Sequence, residues 1–228
     1  MVRTRIKICG VMGAEDALAA ARAGADAIGM VFHPRARRCI DMARARRIVE
    51  ALPAFVTPVA LFVDEDMDRV FRVCCELKVR NVQLHGRETP DQVGRLGDLR
   101  VIKAIGVDPS HLADELALWR RAIPRHKLRN LAGIVLDTGA TSQPGGTGIE
   151  NDWRAIRRHQ RAGHFDELPP IILAGGLTPQ NVGVVVRMLR PWAVDVSSGV
   201  ERTFGRKSPR RIAAFVGAVR AADAQAGS

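Results

Sequence analysis

The chain has 228 residues, with 35 Lys and Arg against 24 Asp and Glu, and 46% of it is hydrophobic. This balance describes a well-cored globular protein and excludes a disordered chain, a collagen-like repeat and a small disulfide scaffold. The net charge of +11 at pH 7 suits nucleic acid, a membrane surface or an anionic small molecule, and does not by itself choose among them.

From the N-terminus, Met1-Val2-Arg3-Thr4-Arg5-Ile6 lacks the apolar stretch of a signal peptide. No later apolar run approaches the roughly 18 residues of a membrane span, so a cytoplasmic protein with no membrane partner is expected. Short apolar runs then recur at Arg5 to Cys9, Ala27 to Phe32, Pro58 to Val63, Val82 to Leu84, Val101 to Ile105, Gly133 to Leu136, Pro170 to Leu173 and Ala193 to Val196. Between them, amphipathic periodicity predicts helices over Glu15 to Ala23, Ala43 to Leu52, Glu65 to Leu77, Pro90 to Leu96, Ser110 to Ala122, Asp152 to Ala162, Pro179 to Leu189 and Pro209 to Ala221. The strand candidates are continuously apolar, as in a parallel sheet covered on both faces. Eight βα units joined by right-handed crossovers predict a single (β/α)8 barrel, a TIM barrel, over residues 1–221, with 222–228 as a short flexible tail; an open doubly wound sheet is the rival.

The four cysteines, Cys9, Cys39, Cys74 and Cys75, make no CxxC pair and no Cys/His cluster at metal spacing. Reduced thiols and no metal site are therefore expected. Which of Cys74 and Cys75 is buried is left open by the third helix's pattern.

In a parallel barrel the reactive groups sit at the carboxyl ends of the strands. Cys9 ends the first run; most free cysteines are ordinary buried residues, but Lys7 nearby favours a thiolate. Asp137 ends the sixth run, where a carboxylate beside the mouth suits proton transfer, although Asp-Thr also starts turns. A thiolate and a carboxylic acid facing one another across the mouth can abstract a proton from carbon and protonate a leaving oxygen, the chemistry of a sugar-phosphate isomerase. Runs seven and eight end in Gly175-Gly176 and Ser197-Ser198-Gly199, where bare N–H groups make a phosphate cradle at the fold's recurrent phosphate position. Of Arg35, Arg37 and Arg38, two belong on a solvated face and one inward, to grip a carboxylate bidentately. The Gly-rich stretch containing Gly145, Gly146, Thr147 and Gly148 reads as a closing lid or as a disordered loop.

Together, Lys7-Ile8-Cys9-Gly10, Arg37-Arg38, Gln83-Leu84-His85-Gly86, Leu136-Asp137-Thr138, Gly145-Gly146-Thr147-Gly148, Ala174-Gly175-Gly176-Leu177 and Asp195-Val196-Ser197-Ser198-Gly199-Val200-Glu201 resemble the phosphoribosylanthranilate isomerase family in order and spacing, from about Ile6 to about Phe215. The resemblance implies a cofactor-independent and metal-independent Amadori rearrangement in tryptophan biosynthesis, from N-(5-phosphoribosyl)anthranilate to 1-(2-carboxyphenylamino)-1-deoxyribulose 5-phosphate. It further implies Asp137 as general acid, Cys9 as general base, Arg38 on the anthranilate carboxylate, His85 in the pocket wall, and Gly175, Gly176, Ser198 and Gly199 on the phosphate. Three places depart from the family pattern: Cys39 stands where an aromatic is usual, Asn151-Asp152-Trp153 replaces a more apolar approach to the Asp-Trp pair, and Arg202 to Ser208 lacks the usual proline and acidic residue.

Two rival functions are distinguishable. A metal-dependent sugar-phosphate epimerase wants a His-x-Asp pair at a strand end, which His33-Pro34-Arg35 does not supply, and a two-aspartate isomerase wants Asp where Cys9 stands. A basic nucleic-acid binder is suggested by Arg154, Arg157, Arg158 and Arg161 and by Arg206, Lys207, Arg210 and Arg211, yet aromatic residues are only 4% of the chain, which leaves little for base stacking. A phosphorylated small molecule is the expected partner, nucleic acid is not, and a monomer is the default because no segment reads as a dedicated interface.

Overall fold

The computed structural model describes residues 3–108, 110–137 and 152–225. Strands and helices alternate as β1 (Arg5–Ile8), α1 (Ala14–Ala23), β2 (Ala27–Val31), α2 (Met42–Ala51), β3 (Thr57–Phe62), α3 (Met67–Leu77), β4 (Asn81–Leu84), α4 (Pro90–Arg95), β5 (Arg100–Gly106), α5 (Leu112–Arg125), β6 (Leu131–Asp137), α6 (Trp153–Arg161), β7 (Ile171–Leu173), α7 (Val182–Leu189), β8 (Ala193–Val196) and, after a short hairpin of β9 (Glu201–Thr203) and β10 (Arg206–Lys207), α8 (Pro209–Gln225). The first eight strands pair in sequence order, all parallel, and β8 closes on β1. Closure decides for the (β/α)8 barrel against the open sheet.

Side chains alternate along each strand, so every second residue faces the helices and the others face the barrel interior. Ile6, Ile8, Ile28, Met30, Phe62, Leu84 and Leu136 join the outer core with helix residues such as Ile48, Val70, Leu116 and Phe215. Burying side chains of this size contributes about 1.5–3 kcal/mol each. Inside, Ala104, Val135, Ile172, Ala174 and Ala193 form a separate small cluster, and Cys9, Val31 and Leu61 another. Cys74 is buried against the core and Cys75 is exposed.

Several boundaries differ from the sequence reading for local reasons. Helix α7 begins at Val182 and not at Pro179, because Thr178 to Asn181 form a capping turn in which Asn181 Oδ1 accepts from the Thr178 N–H at 2.8 Å and Asn181 Nδ2 donates to the Gly176 carbonyl at 2.9 Å. Helix α5 continues through Pro124 to Arg125. The expected flexible tail from Ala222 is corrected over its first part. Helix α8 runs to Gln225, Ala222 is buried, and Asp223 accepts from the N–H and hydroxyl of Thr4 at 3.0 and 2.6 Å, tying the end of the chain to its beginning. Residues 226–228 lie outside the described residues.

The β9–β10 hairpin and the one-turn 3-10 helix Ser198–Val200 before it were not read from sequence. They follow β8 directly, and Lys207 of the hairpin donates back to the Ser197 carbonyl just after that strand.

Candidate active site

Cys9 follows β1 directly, and its N–H donates to the Val196 carbonyl at 2.8 Å, which fixes it against β8. Its sulfur occupies space that only a glycine on β2 leaves open, since a Cβ at Gly29 would lie 2.7 Å from Cys9 Sγ. One inward position deeper, Lys7 Nζ donates to Asp195 Oδ2 at 2.7 Å, and these side chains are 5% and 6% exposed. Burial alone would lower the Lys7 pKa, but Asp195 and Cys9 outweigh it and hold the ammonium charged. Burial likewise pushes the Cys9 thiol up, and the opposing pull of Lys7 does not reverse it. Burial and Lys7 thus pull the sulfur in opposite directions, and burial is the larger of the two.

Asp137 ends β6 on the inward side, and His85 Nε2 faces its Oδ2 at 3.5 Å. His85 Nδ1 lies 2.9 Å from Gln83 Nε2. As the amide N–H is the only donor that pair offers when the ring is neutral, Nδ1 accepts and the ring proton sits on Nε2, toward Asp137. Burial, then Lys103 and Lys7, push His85 down to about 4, so the neutral ring persists at physiological pH. Sequence placed His85 only in the pocket wall; the structure sets it against the Asp137 carboxylate.

Arg38 is buried in the loop after β2, whereas Arg35 and Arg37 are exposed. Its Nε and Nη2 donate to Glu201 Oε1 and Oε2 at 2.8 and 2.9 Å, a fork-on-fork pair of the kind expected for a ligand carboxylate. Lys207 Nζ reaches the same Glu201 Oε1 at 3.0 Å, together with the Ser197 carbonyl at 3.0 Å and its hydroxyl at 3.3 Å. Burial raises and these cations more than offset, so the Glu201 carboxyl stays below its usual range.

Gly175 and Gly176 have φ of 90° and 66°, the left-handed region that favours glycine. Among the described residues their N–H groups meet no protein acceptor, and Ser198 and Gly199 open the 3-10 turn, where N–H groups have no partner within the helix. The two loops touch closely, because a Cβ at Gly199 would lie 2.0 Å from the Leu177 carbonyl oxygen. Gly175, Gly176, Ser198 and Gly199 are thus brought together as one partly exposed cradle. Gly145, Gly146, Thr147 and Gly148, read as a lid, lie outside the described residues.

Sequence reasoning missed Gln83, Asp195, Glu201 and Lys207 as members of the site. A signal existed for the first two, since a polar side chain inside an otherwise apolar, doubly covered strand has to be paired or functional. Gln83 Oε1, His85 Nε2 and Asp195 Oδ1 are buried without a hydrogen-bond partner among the described residues. Such orphaned atoms mark a site that completes its hydrogen bonds with a ligand or water. Behind the loop after β4, Lys103 Nζ bonds the Gly86 carbonyl at 2.7 Å and pairs with Glu88 at 3.0 Å, bracing the turn that carries His85. Among the described residues no cluster of three or more His, Cys, Asp or Glu could hold a metal ion.

The arrangement brings a cysteine beside a buried ammonium, a carboxylate against a neutral imidazole, a paired arginine and unpartnered backbone N–H groups to one barrel mouth. The chain matches the family model for N-(5'-phosphoribosyl)anthranilate isomerase over residues 6–218. It is 44% identical over 221 residues to the N-(5'-phosphoribosyl)anthranilate isomerase of Pseudomonas aeruginosa strain LESB58, an alignment covering 96% of this chain and 97% of that one. Among solved structures it resembles the monomers generated from the dimeric phosphoribosylanthranilate isomerase of Thermotoga maritima (TM-score 0.78, 33% identity, 96% of this chain and 99% of that one). It is similar, too, to a phosphoribosylanthranilate isomerase in complex with reduced 1-(o-carboxyphenylamino)-1-deoxyribulose 5-phosphate (TM-score 0.77, 35% identity, 96% and 99% covered). The chain therefore belongs to the N-(5'-phosphoribosyl)anthranilate isomerase family and is an enzyme of tryptophan biosynthesis with that isomerase activity.

Proposed function

We propose that Asp137 is the general acid and Cys9 the general base of the Amadori rearrangement, with Arg38 on the anthranilate carboxylate and the Gly175, Gly176, Ser198 and Gly199 backbone on the phosphate. The reaction begins when Asp137, protonated, gives its proton to the ribose ring oxygen and the C1–O bond breaks. The anilino nitrogen then shares the positive charge as an iminium. Cys9, as thiolate, takes the proton from C2 and the enolamine forms; C1 then gains a proton while the 2-hydroxyl gives one up, which leaves C2 as the ketone. Only protons move, so the balance requires no oxidant or reductant.

The observation that carries this reading is the pairing of each reactive group with a partner suited to its task. The Cys9 thiol lies above Lys7, so a cation supports its thiolate. The base acts as its thiolate, and the positive charge of the iminium together with the Lys7 ammonium favours that anion at the step in which C2–H is ionised. The neutral ring of His85 lies 3.5 Å from the Asp137 carboxylate and does not compete with it for a proton. A similar isomerase has been solved in complex with the reduced product, which supports a ligand of this class for the present fold.

A single chain supplies every residue named, so we take the monomer as the active unit, although the Thermotoga maritima relative is dimeric. A cytoplasmic setting is supported by the four free cysteines. Among the described residues no helix is long and apolar enough to cross a membrane.

The test is turnover of phosphoribosylanthranilate, generated in place, by the wild type, Cys9→Ala and Asp137→Ala in metal-free buffer, with folding followed by circular dichroism. Loss of at least about a hundredfold in each folded variant is expected for groups that transfer protons in the transition state. Retention of activity in either would remove that residue from its role.

A further inference from the structure

We propose that Glu201 and Phe204 are positioning residues that hold Arg38 with one edge of its guanidinium presented to the substrate carboxylate. The inference rests on Arg38 being the carboxylate anchor. Glu201 engages the Nε and Nη2 N–H groups, the side-on edge of the fork. Nη1 and the outer N–H of Nη2, the end-on edge, take no other partner among the described residues. A guanidinium carries five donors in a rigid plane, so fixing one edge by a bidentate bond also fixes the other.

The face of the guanidinium is held as well. Phe204, at the tip of the β9–β10 hairpin, has its ring centroid 4.4 Å from Arg38 Cζ and 3.7 Å from Arg37 Cζ. Both lie within the range of a cation–π contact. The ring is 44% exposed.

Glu201 is itself anchored. Lys207, with no exposed side-chain surface, bonds Glu201 Oε1 and the Ser197 carbonyl and hydroxyl, and Arg211 Nη1 bonds the Glu201 carbonyl. A continuous path of hydrogen bonds thus joins the edge of the phosphate cradle to Arg38. Without it, a long arginine side chain would have to be ordered on each binding event, and that entropy would be lost from affinity.

A purely structural role for these residues would affect all ligands alike, and the test exploits this. Dissociation constants are measured by calorimetry for two borohydride-reduced product analogues, one made from anthranilate and one from aniline, which lacks the carboxylate. Wild type, Arg38→Met, Glu201→Gln and Phe204→Leu are compared. Glu201→Gln is expected to weaken the carboxylated ligand by about tenfold or more and Phe204→Leu by several-fold, with less than about threefold change for the aniline ligand in either. Should Arg38→Met show that selectivity while Glu201→Gln and Phe204→Leu weaken both ligands equally or neither, the positioning role is overturned and the anchor reading stands. Should Arg38→Met itself weaken both ligands equally, or the wild type bind both alike, the anchor reading fails and the positioning role with it. Phe204→Leu alters a half-exposed ring, so it keeps the test decisive even if Glu201→Gln does not fold.

Discussion

Lys7 Nζ and Asp195 Oδ2 meet at 2.7 Å across the seam where β8 closes on β1, and Lys7 and Asp195 are register partners in that ladder. The pair places a permanent cation inside the barrel directly beneath the proposed base, at a point where neither charge could stand alone. Replacing only Lys7 by Met leaves the Asp195 carboxylate buried without its partner and is expected to destabilise the fold by about 3–5 kcal/mol. The double change Lys7→Met with Asp195→Leu removes both charges and is expected to recover most of that loss in urea unfolding while turnover stays depressed. Recovery of turnover together with stability would show that the pair serves the fold and not the base.

The Cys9 thiol provides a separate check on the same cation. Burial raises its pKa and Lys7 lowers it, so the alkylation rate of Cys9 is expected to climb with pH through a midpoint above the ordinary thiol value of about 8.5. Lys7→Met is expected to move that midpoint higher. Because the base works as thiolate, kcat/KM should rise over the same alkaline range. A midpoint well below the ordinary value would mean that Lys7 outweighs burial and that the free protein already holds a large share of thiolate, whereas one near the ordinary value would weaken the idea of a pre-activated base.

The phosphate end is tested at Gly199, where an added Cβ would lie 2.0 Å from the Leu177 carbonyl oxygen. Backbone cannot yield as a side-chain tip can, so Gly199→Ala has to push the loop after β8 away from the loop after β7. The expected result is a protein that folds with reduced stability and shows at least about a tenfold rise in KM, from a cradle whose N–H groups no longer converge. Competitive inhibition by inorganic phosphate should weaken in parallel. An unchanged KM would argue that the phosphate is held elsewhere.

How much of this was legible beforehand follows from what each element needs. The barrel was readable because doubly covered parallel strands are continuously apolar and the helices between them are amphipathic; the strand Ala193–Val196 has the same bounds in both readings. Cys9, Asp137, Gly175 and Gly199 were readable because strand ends in a barrel face the mouth. Glu201, Phe204 and Lys207 were not, since they sit on a hairpin whose strands are three and two residues long, too short for any periodicity to register. Their importance comes from contacts with Arg38 and Ser197, which no local pattern encodes. Gly29 was hidden for a related reason: its role is to leave room for the Cys9 sulfur, and an empty position has no signature of its own. The tail was misjudged because small residues such as Ala221 and Ala222 resemble a frayed end, yet Ala222 is buried and Asp223 grips Thr4.

His85 links the site to the acid limit of the fold. Its folded value near 4 lies below the ordinary value of about 6.5, so between these two values the unfolded chain binds a proton that the native protein does not. Stability therefore falls as the pH is lowered through this window, by about 3 kcal/mol at most from this one group. A His85→Gln variant, which can still bond Gln83 on one side and offer an N–H toward Asp137 on the other, has no such proton to gain. Its melting temperature is expected to drop less than that of the wild type between pH 7.5 and 4.5. Carboxyl groups held low by their cations, Asp26 beside Arg3 and Glu201 beside Arg38, destabilise both proteins alike on further acidification, so the difference between the two curves isolates the imidazole. Parallel curves over that range would mean that His85 takes up its proton in the folded state as readily as in the unfolded chain, and that burial does not hold the ring neutral below pH 6.5.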